Sequence, residues 1–167
     1  MPTLDLYYSQ SLLGHFTLIV YDRSELIVNR VHMVDRDAEA AHGGKLAWAI
    51  HKVQQLTGFA TSNVLDDIKS SPAAFEARVN YAAPGRQLLK QWAITVPQMD
   101  TMLNWVHQLT EQQNVGHFGS YGYVVYSNNV DNCGSFAIKC LAQAGITVQL
   151  STLKSWIQLP TLIKGDV

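Results

Sequence analysis

At 167 residues, 47% of them apolar and 15% charged, the chain suits one globular domain with a core of its own. A net charge of −1 with no basic stripe argues against nucleic acid as the main partner. No apolar run approaches the ~20 residues of a membrane span, and Met1-Pro2-Thr3-Leu4-Asp5-Leu6 lacks the basic-then-apolar order of a secretory signal.

The first 35 residues read as β. Leu4 to Tyr8, Phe16 to Tyr21 and Leu26 to Val34 are strand candidates, rich in β-branched and aromatic residues. Asp22-Arg23-Ser24-Glu25 is turn chemistry and predicts a hairpin. A helix is expected over 38–56, with apolar Leu46, Ala49, Ile50 and Val53, and Gly43-Gly44 either breaks it or marks its start. Residues 57–84 are mixed, with short helices near Val64–Ile68 and Ala73–Val79. Leu88 to Val96 could be a further strand. Pro97 to Gln112 reads as a helix, opened by the capping pattern Thr95-Val96-Pro97-Gln98. Its stripe of Met99, Met102, Leu103, Val106 and Leu109 reads as core. A Gly- and Tyr-rich loop runs from Gly116 to Tyr126 and matches neither a P-loop nor a dinucleotide fingerprint. A last helix spans Cys133 to Ala144 and stops at Gly145, and Ile146 to Leu150 is a strand candidate. The tail after Ser151 shows little period. Nothing marks a second domain, so residues 1–167 are read as one.

The two cysteines, Cys133 and Cys140, share that last helix. At ~1.5 Å per residue their Cα atoms stand about 10 Å apart, too far for a bridge. Two free thiols suit a reducing compartment. The expected location is the cytoplasm, or export without a cleaved signal. The polar run ending in Asn132 puts Cys133 at a helix start, where unsatisfied N–H groups and the positive dipole end gather. Such a site favours the thiolate. Cys133, Phe136, Ala137, Cys140, Leu141 and Ala144 form one stripe. Cys140, mid-helix, reads as plain core; Cys133 reads as a nucleophile, with core packing as the alternative.

A thiol nucleophile needs a base. His42, His51 and His107 read as surface, and His117 stands in the Gly-rich loop. His15 opens a strand, where a base can be aimed by a rigid sheet. With Arg23-Ser24 as turn centre, Asp22 faces Glu25, Phe16 faces Val31 and His15 faces His32, so His32 could orient His15. Asp22, Asn29 and Asp35 are weaker candidates for that role. His15, His32 and Asp35 or His117 could hold zinc, but no tight ligand spacing occurs, so no metal and no cofactor is expected.

Gly14-His15-Phe16-Thr17-Leu18-Ile19-Val20 on an early strand, then Asn132-Cys133-Gly134-Ser135-Phe136-Ala137 opening a late helix, resembles the circularly permuted papain-like superfamily. That group includes lecithin:retinol acyltransferase-like proteins, PPPDE-like peptidases and bacterial cysteine hydrolases found in effectors and toxins. The resemblance implies an α+β papain-like fold, in which an antiparallel sheet presents His15 to a helix bearing Cys133. It implies a cysteine-dependent peptidase, isopeptidase or amidase, with Cys133 as nucleophile, His15 as base and His32 as orienter. The expected partner is a peptide, protein or acyl-bearing substrate. An acyltransferase, or a non-catalytic binding module on the same fold, is the alternative. Residues 38–84 match nothing in the superfamily and read as an insertion.

Overall fold

The computed structural model describes residues 1–10, 14–22, 27–35, 44–57, 60–70, 85–114, 120–122 and 130–167. Three early strands form where β-branched and aromatic residues concentrate: β1 (Thr3–Ser9), β2 (His15–Asp22) and β3 (Ile27–Asp35). They are followed by helix α1 (Lys45–Thr57), β4 (Ala60–Ser70), β5 (Arg86–Ala93) and α2 (Val96–Asn114). Two short strands, β6 (Ser120–Tyr121) and β7 (Val130–Asp131), lead into α3 (Cys133–Gln143). Two short helices close the chain, α4 (Thr152–Trp156) and α5 (Pro160–Ile163). The fold is α+β. Its sheet runs β5-β1-β2-β3-β4-β6-β7, antiparallel from β5 through β6, with β6 and β7 parallel.

Strand alternation builds the core. Leu4, Leu6 and Tyr8 of β1, Phe16, Leu18 and Val20 of β2, and Val31 and Met33 of β3 face one side. On that side they meet Met99, Met102 and Val106 of α2, the stripe of α3, and Ile163 of α5. Gln98 ties α2 to α3. It closes the capping box of α2 with Thr95 (Thr95 N to Gln98 Oε1, 2.9 Å), and its Nε2 donates to the carbonyl of Ala144, the C-cap of α3, at 2.8 Å. Among the described residues, no helix is long and apolar enough to cross a membrane.

Four local expectations change. Val64–Ile68 lies within β4, not in a helix, because β4 pairs with β3 from Ser62 to Ser70 and this ladder outweighs a weak local preference. Ile146 to Leu150 joins no sheet; Ile146, Val148 and Leu150 alternate because they lean on the core, without a strand beside them. The tail, read as having little period, carries two helices and a fully buried Ile163. In α1 the packing is the reverse of an ordinary surface helix. His51, read as surface, is buried at 4% exposure beside buried Gln55, while Leu46, Ile50 and Val53 are exposed. The expected helix at Ala73–Val79, and His42 and His117, lie outside the described residues.

Candidate active site

Cys133 begins α3 because Asn132 ends the extended chain before it. Asn132 has φ −138° and ψ −179°, and its Oδ1 accepts from the N–H groups of Gly134 at 2.8 Å and Ser135 at 3.0 Å. Ser135 Oγ returns the contact, accepting from Asn132 N at 2.9 Å. This is a capping box with serine in the usual glutamate place. Asn132 Nδ2 also donates to the Gly122 carbonyl, 3.2 Å away. Asp131 extends the network, accepting from Ser135 Oγ at 2.6 Å and pairing with Lys139 Nζ at 2.7 Å. Asn132 is thus the N-cap of α3. Its consequence is that the Gly134 and Ser135 N–H groups serve the cap, so neither is a ready oxyanion donor.

The expected stripe of α3 is buried throughout, and α3 packs on β2 and β3. Phe136 stacks on Trp105 of α2, ring centres 5.9 Å apart. Both thiols are free. Cys140 is fully buried in the core. Cys133, 4% exposed, directs Sγ to the Gly14 carbonyl at 3.9 Å. The thiol therefore meets β2 at the strand's end, at the residue before His15.

His15 and His32 are brought together, with His15 Nε2 2.8 Å from His32 Nδ1 and the rings nearly perpendicular. The register differs from the one expected. Leu18 faces Val31 and Asp22 faces Ile27, so four residues, 23–26, join the strands instead of a two-residue turn. The pairing is displaced by two residues. Because side chains alternate with period 2, this displacement keeps both histidines on one face and makes them diagonal neighbours, still within reach. That face is opposite the one of Phe16, Leu18, Val31 and Met33 on which α3 packs, so the sheet does not present His15 to α3 face-on, and the thiol comes near it only at the end of β2. Burial lowers the pKa of His15, since desolvation penalises its charged form. Of the other orienter candidates, Asp22 and Asn29 are buried in β2 and β3, away from this contact, and the Asp35 side chain is not described. His107 is exposed and pairs with Glu111 at 3.3 Å on its own helix. Among the described residues, no group of three His, Cys, Asp or Glu could hold a metal ion.

Gly14 and the tail were not foreseen as part of this region. Gly14 has φ +73°, and a Cβ there would stand 2.5 Å from the Tyr8 ring and 2.8 Å from Thr161 Oγ1. Both the backbone region and the close approach demand glycine. Gly134 is constrained more severely, since a Cβ would overlap the Gln158 carbonyl. Residues 158–161 thus lie against Gly134, the residue after Cys133, and against Gly14, whose carbonyl the thiol reaches. A backbone carbonyl has no side-chain signature, so only the glycines themselves could have signalled it. A cleft of about 300 Å³ is lined by Tyr8, Gln10, Gly85, Arg86, Gln87 and Lys164; it does not include the thiol. Comparison with family models, with curated proteins and with solved structures finds no match to this chain.

Proposed function

We propose that the chain is a cysteine-dependent hydrolase of the circularly permuted papain-like type, acting on an amide, isopeptide or ester carbonyl of a peptide, protein or acyl-bearing substrate. One observation carries the reading: a paired His15 and His32 at the strand end where a helix-terminal thiol arrives. In this reading His15 Nε2–H donates to His32 Nδ1, which leaves His15 Nδ1 as the basic nitrogen. Burial favours the neutral imidazole that a base requires. Cys133 gives its proton to His15, and its sulfur forms a bond to the substrate carbonyl carbon. The tetrahedral oxyanion collapses, and the amine or alcohol leaves with the proton from His15. Water, deprotonated by His15, then cleaves the thioester and frees Cys133. His32 acts by holding the ring of His15, a positioning role. The helix start and its dipole favour the thiolate.

The 4% exposure of Cys133 favours a second reading, in which the same arrangement is a binding module with an inert thiol. A thiol-directed activity probe separates the two. Labelling is expected in wild type and in Cys140→Ala, and is lost in Cys133→Ala. Equal labelling of all three, or none in wild type, would overturn the hydrolase.

A further inference from the structure

We propose that the cleft beside Tyr8 is a binding site for a small oxyanion, the carboxylate or phosphate group of a ligand. Its walls come from three separate parts of the chain. Ser9, the last residue of β1, pairs with Arg86, the first of β5, and Gln10 N donates to the Gly85 carbonyl at 3.0 Å, so the two strand ends are joined there. Lys164, the C-cap of α5, reaches the same place from the tail. Gly85 has φ +86°, and nothing stands within 4 Å of where its Cβ would be, so this corner of the backbone leaves open space.

The chemistry of the lining selects the ligand. Its described side chains include two cations, Arg86 and Lys164, and two primary amides, Gln10 and Gln87, and no carboxylate. All four carry N–H donors, and a guanidinium beside an ammonium suits an anion with several oxygens. At about 300 Å³ the cleft is at the small end of ligand pockets, which run from roughly 300 to 1,000 Å³. That is room for a small molecule or for the anionic end of a larger one. Lys164 is the decisive group. Its Nζ stands 4.8 Å from the centre of the Tyr8 ring, and Tyr8 is itself buried, so the platform under the ammonium is fixed. A ring face attracts the charge without using up its three donors. Lys154, in the same tail, has Asp166 at 2.6 Å, whereas among the described residues no carboxylate pairs with Lys164. Tyr8 also lies against Gly14, whose carbonyl the Cys133 thiol reaches, but the anion site does not depend on turnover by that thiol.

The test is a titration of the full chain with inorganic phosphate and, separately, with N-acetylglutamate, followed in amide NMR spectra. Saturable shifts are expected at Gln10, Gly85, Arg86 and Gln87 with at least one of them, weakening with salt. The tighter of the two names the group that the natural ligand carries. Lys164→Gln should raise the dissociation constant about threefold to tenfold, and Arg86→Gln with Lys164→Gln should abolish saturation. Both positions are exposed, so melting temperatures should match wild type. Lys90→Gln is the control. Lys90 stands over Trp92 at 5.5 Å much as Lys164 stands over Tyr8, on β5 but outside the cleft, and the substitution removes the same charge. It should leave the constant unchanged. No saturation with either anion, shifts centred elsewhere, or equal weakening by Lys90→Gln and Lys164→Gln overturns the proposal.

Discussion

Helices α1 and α3 are written in the same periodic pattern and used in opposite senses. In α3 the apolar stripe faces in, on β2, β3 and α2, and every member of it is buried. In α1 the apolar arc faces out and the buried positions are His51 and Gln55. Periodicity identifies a two-faced helix; it does not say which face meets the protein. That is decided by the surface on offer. The core face of β1–β3 is a continuous apolar field, and α3 lies on it. Among the described elements α1 packs on β4, outside the apolar field of β1–β3.

The contrast can be tested by substitution. The largest effect is expected from truncating Phe136 in α3: Phe136→Ala should cost about 3–5 kcal/mol in chemical denaturation, because the side chain is fully buried and stacked. Ile50→Ala in α1 should change stability by no more than about 0.5 kcal/mol. Similar costs at the two sites would mean that α1 is packed as α3 is. Gly134→Ala comes next, at about 1–3 kcal/mol or more, since the Gln158 carbonyl must move to admit a Cβ. If the variant melts like wild type, the tail is not held against the helix start. Asn132→Ala should cost about 1–2 kcal/mol, for it removes the oxygen that accepts two N–H groups. At the exposed cap of α4, Ser151 holds Lys154 N at 3.5 Å, and Ser151→Ala should cost only a few tenths of that.

The smallest expected effect is a pH dependence. His15 has a folded-state pKa below its unfolded value of 6.5, so the unfolded chain binds more protons between the two. Stability therefore rises with pH through that window. It is complete above 6.5 and falls as pH drops toward the lowered folded value. Melting temperatures between about pH 7.5 and 5 should decline, and His15→Gln should flatten part of that decline. An unchanged slope in the variant would remove His15 as its source.

The histidine pair was legible because alternation forgives a displacement of two: the turn was misjudged, yet His15 and His32 stayed on one face. The start of α3 was legible because Asn132 divides a polar run from an apolar period. The Ser135 half of the cap was missed, since serine is weaker than glutamate as a signal there. Residues 64–68 misled because strand pairing with β3 is a long-range fact that no local window contains. Gln158 was invisible because its contribution is backbone.

The close packing of Gly14, Cys133 and Thr161 has a kinetic side. Cys133 and Gly14 are 119 residues apart, and Tyr8 and Thr161, whose hydroxyls lie 3.4 Å apart, are separated by 153. The β1–β2 hairpin can close from local contacts soon after it leaves the ribosome, whereas the surroundings of the thiol require both distant parts of the chain. During synthesis β1 and β2 can therefore pair first, whereas the contacts of Thr161 with Tyr8 and of Gln158 with Gly134 wait until residues 158–161 have emerged. The neighbourhood of the helix start is thus assembled from the two ends of the sequence.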